Sequence, residues 1–405
     1  MQTEFPPTAG LPLDLHDFIQ HKNLNLSQQI AQLLNIPPPA ETCSGTVAFI
    51  LALQVLSELK PHKNQVIVPA WTCPLVILAI EKIGLIAKIC DLNRNELTLD
   101  EHALRQLINE TTLAIVVTHY AGLVNSLQNF ASLTKKYDCY LIEDAAQAMG
   151  AFNGEKSVGL QGDIGFFSLA FGKGLTSAEG GLVFSKHREI HQRLHQKAKE
   201  LPKLKTWEIQ RCLELLGYFL FYRPQFLSYF YGWSLRKHLQ KNDEISAVGD
   251  DFNLDDIPIH ALGKWRSQVA AKASIRLPDY WISLRKQAQS RIEQLQSISY
   301  LSVFNAQENT QATFPFFIIL VDHPLRCQKI LNELWQSGLG VTKLFVRAIS
   351  DYPNLAHLDD KTPNAKDFAA RCFTITNTLW LSDQKFNHIL QVLKSHESND
   401  VVSLP

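Results

Sequence analysis

The sequence has no excess of charge of either sign. Lysines and arginines number 39, aspartates and glutamates 39, and the formal net charge is zero. That balance gives no reason to expect a nucleic-acid partner. Paired cysteines are also missing. The seven, at Cys43, Cys73, Cys90, Cys139, Cys212, Cys327 and Cys372, are scattered without CxxC or metal-ligand spacing. An odd, dispersed set reads as reduced thiols, so a cytoplasmic protein without a disulfide framework or structural metal is expected. The first ten residues, MQTEFPPTAG, lack the basic-then-apolar pattern of a secretion address.

Alternation is what the sequence does have. With 405 residues and 46% hydrophobic content, the chain is long enough for two or three domain-sized units around a sizeable core. Pro6-Pro7 and Pro37-Pro38-Pro39 punctuate residues 1–40, which read as an accessory arm with one helix between Leu26 and Leu34. Short apolar strands then alternate with helices as far as the strand beginning at Cys139. Nearly continuous apolar strands predict a mostly parallel sheet sandwiched by helices, an α/β fold. Sheets of that kind bind ligands beyond the carboxyl ends of their strands.

The chain is organised around Leu141–Ser185. An apolar strand delivers Glu143 and Asp144, Asn153-Gly154 signals a tight hairpin, a second apolar run ends at Ser168, and Lys173 sits between Gly172 and Gly174. A carboxylate at a strand end, followed by a hydroxyl and a loop lysine, suits pyridoxal phosphate. That cofactor needs an amine for a Schiff base, an acid beside its pyridine nitrogen, and donors for its phosphate. Neighbouring strand residues point to opposite faces, so Glu143 is expected to be a solvated or structural acid. His119, just after another strand, reads as a satisfied loop histidine.

These blocks resemble the DegT/DnrJ/EryC1/StrS aminotransferases, a sugar-aminotransferase group of fold-type I pyridoxal phosphate enzymes. The matching pieces are Glu143-Asp144-Ala145-Ala146-Gln147-Ala148, Gly162-Asp163-Ile164-Gly165, Phe167-Ser168, Lys173-x-Leu175-Thr176 and Glu179-Gly180-Gly181, in the family's order. The resemblance implies pyridoxal 5'-phosphate held as an aldimine on Lys173, with Asp144 at the ring nitrogen. It places Gln147 near the 3' hydroxyl and Ser168 at the phosphate. Ser44, Gly45 and Thr46 open a helix where the family also binds phosphate; by itself that triplet would be an ordinary N-cap. The family usually stacks an aromatic on the ring where this chain has Cys73. Trp71, two residues earlier, is the other candidate for the ring, although core packing is its plain reading. Retention of Lys173 favours transamination over a dehydratase branch in which that lysine is replaced. The implied reaction takes an amino group from a small-molecule donor, glutamate, to a keto group of a nucleotide-linked sugar, in a homodimer. Two alternatives stand beside it: an apolar or carrier-linked ketone or aldehyde as acceptor, and a non-catalytic binding or regulatory protein of the same fold.

Boundaries follow. Residues 1–40 form the arm, 41–258 a large cofactor-binding domain, and 259–405 a linking helix with a small C-terminal α/β domain. Within 41–258, an aromatic-rich helical insertion at about 200–256 departs most from the family. Nine aromatics fall between Tyr218 and Trp233, interrupted by Arg223-Pro224. A membrane-spanning helix needs about 20 mostly apolar residues, so the segment is not read as one. Three readings remain, in this order: a helical pair packed on the body or on a dimer partner, a lid over the substrate, and an interfacial membrane contact through 213–235. In His260–Ala273 the family's asparagine position falls on Leu262, and no site residue carries over there.

Overall fold

The computed structural model describes residues 3–19, 24–254, 257–358 and 361–397. Its strands, in chain order, are β1 (Ala40–Thr42), β2 (Gln65–Pro69), β3 (Ile86–Cys90), β4 (Thr112–Thr118), β5 (Tyr140–Asp144), β6 (Phe152–Asn153) and β7 (Lys156–Ser157). They continue with β8 (Ile164–Ser168), β9 (Gly181–Ser185), β10 (Leu301–Val303), β11 (Thr310–Gln311), β12 (Phe316–Val321), β13 (Val341–Thr342) and β14 (Cys372–Thr376). A seven-stranded sheet runs β1-β9-β8-β5-β4-β2-β3. From β3 through β8 its pairs are parallel, and only β9 pairs antiparallel, with β8 and with β1. All seven residues of β4, TLAIVVT, are buried. A strand covered on both faces has no polar side to present, hence its unbroken apolar run. The expected α/β architecture, a mostly parallel sheet flanked by helices, is what the chain adopts.

A second sheet, β10-β12-β14-β13, is antiparallel throughout and lies in the C-terminal third. The Asn153-Gly154 hairpin forms between β6 and β7, and β11 joins it as a third strand. The Leu26–Leu34 helix has the expected bounds; Asn25 caps it by accepting the N–H of Gln28, and Asn35 ends it in the left-handed conformation. Some boundaries move for local reasons. The strand expected from Cys139 begins at Tyr140, after Asp138 at φ +48°. That expected from Thr313 begins at Phe316, because Phe314 has φ +48° and Pro315 follows. Left-handed backbone and proline both interrupt a strand ladder.

The aromatic-rich segment folds as the Lys205–Phe221 helix, a break at Arg223, the short Pro224–Leu227 helix, a π-helical turn Ser228–Gly232 and the Trp233–Leu239 helix. Asp255 and Asp256, at its expected end, lie outside the described residues. The segment is anchored by Arg266, whose side chain is fully buried. Its guanidinium donates to both carboxylate oxygens of Glu208 (3.0 and 2.7 Å) and to the carbonyls of Ser177 (3.0 Å) and Glu179 (2.6 Å). Removing one partner of a buried ion pair typically costs about 3 kcal/mol or more, because the other charge stays uncompensated. Arg266→Ala should therefore lower the urea-unfolding free energy by about 3 kcal/mol. Arg266→Lys should recover only part of it, since an ammonium cannot reproduce the planar fork.

Candidate active site

Beyond the carboxyl ends of the central strands lies a cavity of about 480 Å³. It brings together Ser44, Gly45, Thr46, Cys73, Asp144, Gln147, Ser168 and Lys173, all but one of the residues singled out from sequence. Trp71 is the exception, and its assignment to the cofactor is corrected. It is fully buried, with ring neighbours Tyr120 (5.3 Å), Phe345 (5.2 Å) and Phe368 (4.8 Å), and its indole N–H donates to the Phe345 carbonyl. A large ring gains most where apolar neighbours surround it, and this one is turned into the core rather than toward the cavity.

At one end of the cavity a strand end meets a helix start. Ser44 caps the Gly45–Leu59 helix, its Oγ accepting the N–H of Val47 at 3.1 Å. The first N–H groups of any helix lack intrahelical partners and carry the positive end of its dipole. Gly45 lets this helix end approach Ser168: a Cβ built there would lie 2.9 Å from the Ser168 Cβ and 3.2 Å from its Oγ. A hydroxyl and a helix N-terminus are thus side by side, a cradle suited to an anion.

Lys173 follows Ser168 by a short loop braced from the N-terminal arm. Thr8 Oγ1 donates to the Gly172 carbonyl, and the N–H of Leu11 donates to the Gly174 carbonyl at 3.0 Å. The arm therefore packs beside the lysine, a role its composition did not indicate. Burial of the amine in the cavity wall lowers the Lys173 pKa, while Cys73, Asp144 and Asp250 pull it back up. For Asp144, burial pushes the carboxyl above the usual aspartate range, opposed by the Ala146 N–H (3.0 Å) and by Lys173. An ionised Asp144 is thus helped by a cation beside it. The Cys73 thiol is pushed up to about 12 by burial, so it is protonated at neutral pH.

Glu143 and His119 belong to the scaffold. Glu143 is fully buried, taking the N–H groups of Gly159 (2.8 Å) and Gly162 (2.6 Å) and pairing with His119 Nε2 at 2.9 Å. His119 Nδ1 accepts the N–H of Asn125, which leaves the ring proton on Nε2, facing Glu143. Gln147 reaches the cavity wall while its Oε1 accepts the N–H of Ala121 at 3.0 Å. The hydroxyl of Thr72 also lines the cavity, buried and without a hydrogen-bond partner among the described residues. Buried polar groups are rarely left so, which fits a site built around a polar ligand.

Sequence reasoning missed the contribution of the insertion. Arg211, Asp250 and Phe252 line the same cavity, as does Glu179. Arg211 Nε lies 2.9 Å from Glu179 Oε2, and Trp207 Nε1 donates to the same oxygen at 3.0 Å. Glu179 stands in a quoted motif, which was its available signal; Arg211 and Asp250 have none, since no local spacing marks them.

Residues 20–209 match the model of the DegT/DnrJ/EryC1/StrS aminotransferase family. Over that segment, just under half of the chain, the sequence is similar to this family. GDP-perosamine synthase of Vibrio cholerae is 31% identical over 157 residues, 39% of this chain and 42% of that protein. UDP-N-acetyl-3-dehydro-alpha-D-glucosamine 3-aminotransferase of Acidithiobacillus ferrooxidans is 32% identical over 220 residues, 54% of this chain and 58% of that protein. The chain thus spans about half the length of the relatives it matches. The fold extends further: PseC of Helicobacter pylori, an aminotransferase involved in pseudoaminic acid biosynthesis, superposes with a TM-score of 0.73 over 97% of this chain and 99% of its own, at 18% identity. That agreement concerns the fold.

Asp250 makes the site pH-sensitive. Its Oδ2 accepts the Tyr352 hydroxyl at 2.7 Å, and burial raises its pKa from 3.8 to about 7. The folded chain then keeps a proton that the unfolded chain releases. This contribution to stability is complete below about pH 4 and is lost as pH rises through about 7. Asp250→Asn keeps an acceptor for Tyr352 and removes the titration. In thermal melts from pH 4 to 8, the wild type should lose stability relative to the variant by an amount on the order of a few kcal/mol.

Proposed function

We propose that this protein is a pyridoxal phosphate-dependent aminotransferase, and the convergence of Lys173, Asp144 and the Ser168–Gly45 cradle on one cavity carries the reading. The residues present fit the cofactor: an amine, a carboxylate, an anion cradle and the unsatisfied Thr72 hydroxyl make up the set it requires. Pyridoxal phosphate, when bound, supplies the electron sink for the charge left as an amino acid loses its α-proton.

The chain's own groups divide the remaining work. Ser168 Oγ and the first-turn N–H groups at Gly45 and Thr46 would hold the phosphate, with no charged side chain required. Asp144 would pair with the protonated pyridine nitrogen, and that cation would offset the burial that otherwise favours its neutral form. Lys173 Nζ, its proton affinity lowered by burial, would hold the cofactor covalently through its aldehyde. Freed by the amino donor, the same Nζ would accept the α-proton and return it one atom away. Gln147 would sit at the 3' hydroxyl. Cys73 is compatible with the ring face only as a small neutral contact.

We take glutamate as donor and a keto group of a nucleotide-linked sugar as acceptor; the acceptor class is in line with relatives named for GDP- and UDP-linked sugars, whereas the donor that relatives' names print is L-glutamine. A second acceptor class, an apolar or carrier-linked ketone or aldehyde, has its own support. Phe49, Leu75, Val76, Phe252 and Ile257 make a broad apolar wall of the cavity. The working unit in this reading is a cytoplasmic homodimer; all seven thiols are free, which suits a reducing compartment. Residues 1–40, 41–258 and 259–405 are taken as arm, cofactor-holding unit and C-terminal unit.

The test is the visible spectrum of the purified protein reconstituted with pyridoxal phosphate. A yellow chromophore should form, bleach on addition of L-glutamate, and be absent from Lys173→Ala, whose far-ultraviolet circular dichroism should match the wild type. A chromophore indifferent to glutamate would favour another donor or the non-catalytic reading. A folded wild type that binds no cofactor would overturn the assignment.

A further inference from the structure

The insertion buries only one of its faces. Leu215, Tyr218, Leu227 and Leu235 pack inward. On the outside, Ile209, Leu213, Leu216 and Leu220 recur at helical spacing, with Leu213 64% exposed. Beyond the Arg223-Pro224 break, Phe226 and Phe230 each set their rings 5.9 Å from that of Phe221, yet all three stay more than 40% exposed. Trp233, 60% exposed, continues the face, and Lys237 lies over its ring at 4.9 Å. A soluble surface rarely exposes so many large apolar side chains together, and where it does they mark a contact.

The charge around this face selects the occupant. Between Glu214 and Asp243 there is no acidic residue, while Arg223, Arg236, Lys237 and Lys241 fall there, in a chain whose net charge is zero. Arg236 is paired with Glu4, but Lys237 and Lys241 are exposed and make no ion pair among the described residues. A self-complementary contact would set these cations against one another or need acids that this stretch lacks. An anionic lipid surface answers both features. Headgroup phosphates attract the lysines, and exposed Phe and Trp rings partition into the boundary beneath them. Among the described residues no helix is long and apolar enough to cross a membrane, so the contact is with the surface.

We propose that the outer face of residues 209–241 docks this protein on an anionic membrane surface, with Phe226, Phe230 and Trp233 entering the interface and Lys237 and Lys241 meeting the headgroups. The proposal does not depend on the reaction catalysed or on the acceptor.

The full chain would be sedimented with vesicles of phosphatidylglycerol and phosphatidylcholine, and with phosphatidylcholine alone. Binding should occur with the anionic vesicles, weaken in high salt, and shift tryptophan emission to shorter wavelength. Phe226→Ser/Phe230→Ser/Trp233→Ser should partition at least about tenfold more weakly, given the apolar area removed. Because that variant alters three large side chains, Lys237→Glu/Lys241→Glu, at exposed positions, provides a second measure; it should lose most anionic-vesicle binding and keep the wild-type mass by light scattering. No sedimentation of the wild type with either vesicle overturns the proposal, as does binding that neither variant reduces. A fall in oligomeric mass in the serine variant, without vesicle binding by the wild type, would assign the face to a second copy of the chain instead.

Discussion

A cation enclosed by protein has to be answered on every side, and Arg266 organises three segments through that requirement. Its guanidinium takes a carboxylate from the insertion, Glu208, and two carbonyls, of Ser177 and Glu179, from the loop that follows Lys173. Because the residue is fully buried, none of these partners can be exchanged for water without cost. The insertion helix is thereby fixed against the cavity at its Arg211 end, and the lysine loop is fixed from behind. From the other side the N-terminal arm holds the same loop through Thr8 and Leu11. Lys173 therefore sits in a flexible-looking Gly-Lys-Gly stretch that is held at both ends.

The sheet supplies the second constraint. Parallel strands place their carboxyl ends on one edge, and β5 and β8 are neighbours in it. Asp144 and Ser168, separated by 24 residues in sequence, consequently end at the same side of the molecule. β9 closes back antiparallel on β8, which brings Gly181 against Ser44: a Cβ at Gly181 would lie 2.1 Å from the Ser44 carbonyl oxygen. Only a residue without a side chain permits that approach, and the anion cradle depends on it.

Much of this was legible. The run ending at Asp144, the position of Ser168 and the glycine-flanked lysine are local patterns, and local patterns survive in a linear text. Glu143 could be assigned to the scaffold from strand alternation and His119 read as a satisfied loop histidine, although that they satisfy each other could not be read. Trp71 shows where local patterns stop. Two residues from Cys73, it is turned into a nest of aromatics drawn from residues 120, 345 and 368, none of which announces its proximity in sequence. Asp250, Arg211 and Phe252 were invisible as cavity residues for the same reason, since the insertion has no periodic relation to the strands it covers.

The sequence by itself determined the local conformations and the chemical types. Apolar runs of strand length specify a buried parallel sheet, and a lysine, an aspartate and a serine at loop positions specify what chemistry is available. Tertiary structure decided which side chains share a space. It made one face of the aromatic-rich segment core and left the other outside, turned Trp71 inward, and set an aspartate of the insertion in the cavity that Lys173 lines. The physical reason is separation along the chain. Strand and helix preferences act over a few residues, whereas burial and charge compensation are settled between groups as far apart as Arg266 and Ser177.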